Sequence, residues 1–215
     1  MMNGGCPEIK INYSLEIDQD VVEATLGYAA WYTEHGYEPL LPAKLSIKGI
    51  KDLSHEKILK LIETEYNEVF YKDVSKALTK YWEVFKNNWP SVTVQKMGLL
   101  FGDEYEVRLT RYGVGATYNE SEGALVLNVS GGEVEELASI VFHELIHLTI
   151  EGDIKKYNIG HWQKERLVDL IFKSLLPEHS FEQQLPSEAH DIDPFFEKSS
   201  GEVRKTMAEF ALAQR

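Results

Sequence analysis

His143 and His147 stand four positions apart in the run IVFHELIHLTIEGD, residues 140 to 153, with Glu144 directly after the first of them. On a helix, side chains four apart leave the same face one turn from each other, so the two imidazoles can converge on one tetrahedral ion. Glu144, turned about 100° away, flanks such an ion without binding it. The pattern is H-E-x-x-H, and its physical logic is hydrolytic. Zinc lowers the pKa of a bound water to about 7, and the neighbouring glutamate takes the proton as that water attacks a carbonyl. The plainer alternative is a core helix with satisfied histidines. The surrounding Ala138, Val141, Phe142, Leu145, Ile146 and Leu148 mark the helix as buried, where a His-Glu-His group costs stability unless it is paired or holds a metal.

Two histidines leave a zinc site incomplete. Glu165, in GHWQKERLVDLIF, lies 18 positions beyond His147 on a separate helical segment that can pack back on the first. Asp169 follows one turn later on the same face, where it can receive the second ring N–H of His143 and fix its orientation. Asp153 is an alternative third ligand at the terminal position of a metzincin spacing, although Ile150 stands where that pattern needs glycine. His161 is one turn before Glu165 and is either a neighbour of the site or a solvated histidine at a helix start. Hydrolysis at such a site also needs a donor for the developing oxyanion, and Tyr157, His161, His179 and His190 are candidates. Cys6, after NGG and before a proline, is either an inhibitory thiolate or an inert thiol.

His143, Glu144, His147, Glu165 and Asp169 together resemble the gluzincin metallopeptidases, the thermolysin-like clan, with H-E-x-x-H followed on a later helix by Glu-x-x-x-Asp. VSGGEVEELASIVFHELIH is similar to that clan's approach from strand to helix. The resemblance covers about residues 113 to 172 and lacks a G-x-M-E-N exopeptidase signature. It implies a zinc-dependent peptidase in which His143, His147 and Glu165 are ligands and Glu144 is the general base and acid. It also implies an edge strand that binds extended substrate, for which VGATYN is the matching segment.

The rest of the chain must position these residues. EIKINYSLEI, residues 8 to 17, alternates as a half-buried strand, and a helix follows from Gln19 to His35, stopped by Gly36. Ser54 caps a helical run with apolar residues from Ile58 to Phe70, and a second set from Val74 to Phe85 continues to NNWP. After Pro90 come SVTVQKMGLLF, YEVRLTRY, VGATYN and ALVLNV, separated by turn residues, which predicts an antiparallel meander. Two helices follow, the second from about His161 to Leu176, then a loop, PEHSFEQQLPSEAHDIDP, and a last amphipathic helix from about Ser200.

These elements predict an α+β protein with a small antiparallel sheet: a mostly helical region over 1–90 and a zincin-like catalytic region over 91–215, packed as one unit. A formal net charge of -13 disfavours nucleic acid or an anionic membrane as the main partner. No run approaches the 18 apolar residues a spanning helix needs, and a single cysteine suits a reducing compartment, so a cytoplasmic protein is expected. The expected partner is a peptide or protein substrate. A zinc-binding interaction module that keeps the fold without turnover is the competing expectation.

Overall fold

A computed structural model describes residues 5–34, 36–43, 45, 54–178 and 183–214, and among them it contains nine α-helices and a four-stranded sheet. Strand β1 (Glu8–Asn12) is short because Ser14 ends it. The Ser14 backbone is extended and its hydroxyl accepts the N–H of Ile17 at 3.2 Å, so Leu15 and Ile17 begin helix α1 (Leu15–Gly27) instead of prolonging the strand. Helix α2 (Ala29–Glu34) is a separate piece after Tyr28, where one continuous helix had been expected. Helices α3 (His55–Glu65) and α4 (Glu68–Asn87) divide at Asn67, whose side chain accepts the Phe70 N–H. Ser54 occupies the first cap position of α3, but its hydroxyl makes no capping bond.

SVTVQK, expected to be extended, is helix α5 (Ser91–Lys96). The fixed backbone of Pro90 opens the turn, the Val94 N–H donates to the Pro90 carbonyl, and Val94 and Met97 are buried on one side. β2 (Glu104–Thr110), β3 (Ala116–Asn119) and β4 (Ala124–Asn128) complete the sheet in the order β1-β2-β4-β3. The expected antiparallel meander is therefore corrected: β1 with β2 and β2 with β4 are parallel, and only β3 with β4 is antiparallel. The cause lies in polarity. ALVLN is apolar enough on both faces to sit in the interior of the sheet, whereas ATYN alternates and takes the edge. The chain leaving β2 is held off by a two-way backbone bridge between Leu40 and Gly113, where φ is +77° and an added side chain would press on Val21.

Helix α6 (Val134–Tyr157) is apolar on nearly every side and is buried accordingly. Phe142 lies at its centre, its ring meeting those of Phe85, Trp89, Phe101 and Phe172. The α6 helix ends at Asn158 in the left-handed conformation, and Ile159 donates back to Ile154. Gly160 then opens helix α7 (His161–Leu175), so a three-residue reversal folds α7 back on α6. The stretch read as a loop holds a 3-10 turn (Ser187–Ile192) and helix α8 (Asp193–Lys198), followed by helix α9 (Val203–Ala213). One buried core joins α4, α5, the sheet and α6 to α9, and a smaller cluster of Val22, Ile58, Ile62 and Tyr112 packs between α1 and α3. No helix among the described residues is long and apolar enough to cross a membrane.

Candidate metal centre

The α6–α7 pair brings His143, His147 and Glu165 into one cluster that can hold a metal ion. The Nε2 atoms of His143 and His147 are 3.1 Å apart. Oε2 of Glu165 is 3.2 Å from His147 Nε2 and 3.9 Å from His143 Nε2. Both imidazoles are buried, at 3% and 2% exposure, so water contributes little to holding them. Burial works against the charge of Glu165, but the two imidazoles outweigh it and hold its carboxyl well below the usual range. Glu165 is thus an anion in this cluster, the state a metal ligand requires.

Asp169 comes to the far side of His143, with Oδ1 3.7 Å from Nδ1. That is too long for a direct hydrogen bond and close enough for electrostatic attraction. Burial raises the Asp169 carboxyl, with His143 pulling the other way. His147 is held differently. Its Nδ1 has no hydrogen-bond partner among the described residues, and its ring stacks on Tyr118 of β3 at 5.3 Å and 15°. Glu144 is half-buried beside the cluster, its carboxyl raised by burial against the lowering pull of His147 and His143.

Several neighbours carry no motif. The Tyr118 hydroxyl donates to Glu151 at 2.7 Å, and Lys164 Nζ donates to that hydroxyl at 3.1 Å. The same ammonium is 3.9 Å from Glu165 Oε1 and 4.0 Å from Glu151. The side-chain nitrogen of Gln183 lies 3.0 Å from His143 Nε2, on the cluster itself. Tyr118 and Gln183 come from a strand and a loop far from the helical motif, so no spacing rule reaches them. Lys164 adjoins Glu165 in the sequence, but a lysine in that place is ordinary on a helix surface and carries no signal of its own.

Of the other sequence candidates, His161 is near, with Nδ1 3.8 Å from Glu165 Oε1 on a side chain 59% exposed. His190 pairs instead with Asp193, which also takes a bidentate bond from Arg166. Tyr157 sits at the end of α6 with the Lys156 ammonium over its ring. His179 lies outside the described residues. Asp153 is not drawn into the cluster: α6 runs through it without the turn a metzincin needs, and its carboxylate accepts a bond from Arg204 at 2.7 Å. Cys6 packs against the core near Lys86, and burial pushes its thiol up to about 12, which makes it a poor metal-binding thiolate.

β3 is an edge strand passing beside the cluster, the position expected of VGATYN. No family model, no curated protein and no solved structure matches this chain.

Proposed function

We propose that the chain is a zinc-dependent peptidase of the gluzincin type, acting on peptide bonds in a reducing compartment such as the cytoplasm. The observation that carries this reading is the meeting of His143 Nε2, His147 Nε2 and Glu165 Oε2 in a buried cluster. Donors at zinc bond lengths of about 2.0–2.1 Å around a tetrahedral ion lie about 3.3–3.4 Å from one another. Separations of 3.1, 3.2 and 3.9 Å bracket that value, so the residues present fit the ion.

Zinc held by these three side chains supplies a Lewis acid for the carbonyl and lowers the pKa of water. The remaining work falls to the chain. Glu144, beside the two imidazoles and with its carboxyl raised by burial, serves as general base and acid. Asp169 and the stacked Tyr118 orient the two imidazoles. Lys164 and His161, both within 4 Å of Glu165 Oε1, are positive or hydrogen-bonding groups that can answer oxyanion charge. The outer edge of β3, unpaired among the described residues, offers backbone groups to an extended substrate.

A second reading, a zinc-holding interaction module without turnover, is favoured by one observation: the Gln183 amide covers His143 Nε2, where a substrate-accessible site would be open. One experiment separates the two. Purified protein with one equivalent of zinc is incubated with a diverse peptide library, alongside Glu144→Gln. Cleavage that falls by about 100-fold or more in the variant, with zinc content unchanged, is the expected result. Bound zinc with no cleavage by either protein supports the second reading.

A further inference from the structure

Only one face of the sheet is packed on the helices that carry the metal cluster. Alternation along β2 sends Val107 and Leu109 into that core and Glu106 and Arg108 to the opposite side, and Val126 of β4 follows them. On this second face, with α1 as the facing wall, lies a cavity of about 820 Å³. That is within the range of about 300–1,000 Å³ typical of small-ligand sites. β3 divides it from the metal cluster: Thr117 lines the cavity, while the next residue, Tyr118, stacks on His147.

The lining has a definite chemical character. Arg108 is the only basic residue of its lining among the described residues, and that guanidinium is clamped between Glu106 at 2.8 Å and Glu122 at 2.7 Å. The other oxygen of Glu106 accepts the Asn12 amide at 2.7 Å, and these donors hold its carboxyl below the usual range, so it stays ionised. Asp20 adds a second carboxylate to the wall and has no ion-pair partner among the described residues. Arg108 therefore offsets one of the two lining acids and leaves the wall negative. Around them stand the rings of Tyr13, Tyr28 and Tyr32, with Tyr28 63% exposed. Tyrosine faces attract cations, aliphatic side chains of α1 accept an apolar stem, and a neutral ligand would desolvate carboxylates without compensation.

We propose that this cavity is a second binding site, separate from the metal cluster, for an alkylammonium or guanidinium cation carried on an apolar stem. The net charge of -13 draws such ligands toward the protein.

The test is a calorimetric titration of the full chain with three probes: N-acetyl-Leu-Lys-Leu amide, its norleucine counterpart, and 1,5-diaminopentane. Each is run with and without one equivalent of zinc. The lysine peptide, the diamine or both should bind, the norleucine peptide at least about tenfold more weakly than whichever cation binds, and zinc should leave the constants unchanged. Which cation binds tells whether it arrives on a polypeptide or free. Asp20→Lys should weaken binding about tenfold and Tyr32→Ala about threefold. Asp20 is exposed, so its replacement leaves the core intact, and an unchanged unfolding midpoint verifies this. Norleucine-peptide binding as tight as that of the cation that binds, indifference to Asp20→Lys, displacement by zinc, or no binding of either cation at millimolar concentration would each overturn the proposal. The readout is binding alone, so it stands or falls apart from the peptidase reading.

Discussion

Replacing Glu165 by alanine removes one of three donors from the cluster and leaves both imidazoles in place. A ligand that binds only the folded chain stabilises it by about 4.1 kcal/mol at a thousand times its dissociation constant. For 215 residues, an unfolding entropy of about 2.1 cal/mol/K per residue comes to about 0.45 kcal/mol/K. Zinc at that excess should raise the melting temperature of the native chain by about 9 °C. Outer partners of metal ligands are worth about 10–100-fold in affinity, and a ligand itself at least the upper end of that range. The same zinc concentration then stands at about ten times the variant's constant, which gives about 1.4 kcal/mol and a rise of about 3 °C. Scanning calorimetry with bound zinc counted by atomic emission measures both quantities. Asp153→Ala is the internal control, because its carboxylate is engaged by Arg204 and not by the histidines. A Glu165→Ala protein that keeps the full rise, or an Asp153→Ala protein that loses it, refutes the assignment of ligands.

Asp169→Asn should weaken zinc binding by about tenfold while leaving one ion per chain at saturation, as read by competition with a coloured chelator. Asp18 gives a prediction about pH. It is buried at 1% exposure, accepts hydroxyl bonds from Tyr71 and Thr110, and its carboxyl is raised by burial. The folded chain therefore holds this proton where the unfolded chain, with a pKa of about 3.9, has lost it. Its contribution is greatest below that value and declines as pH rises to the folded pKa, after which it is flat. Urea midpoints of native and Asp18→Asn proteins should thus converge or cross as pH rises from 3 to 7, and parallel curves would be the contrary result. Phe142→Ala removes a fully buried ring from four aromatic contacts and should cost about 3–5 kcal/mol in equilibrium unfolding.

The α6–α7 pair was legible because its signals are local. A four-residue spacing fixes which side chains share a helix face, and helical spacing resuming at about His161 places Glu165 on a second helix that can pack back on the first. Sheet topology was not legible, since alternation tells which residues face inward but not which strand lies alongside. Glu8 of β1 pairs with Glu104 of β2, and nothing near either residue announces the other. SVTVQK misled for a related reason: β-branched residues favour extended chain, and packing of Val94 and Met97 after Pro90 prevailed over that preference. Tyr118 and Gln183 reach the cluster only through the completed fold.

The tight reversal between α6 and α7 has a kinetic corollary. All three donor residues fall within the single stretch 143–165, so their assembly closes only a short loop and incurs little chain entropy. The parallel pairing of β1 with β2 must instead join segments nearly a hundred positions apart. Sequence-near structure forms faster than sequence-distant structure. Amides of the helical hairpin should accordingly become shielded from deuterium during refolding before those of β2, so the three side chains of the candidate site would be brought together while the sheet is still unmade.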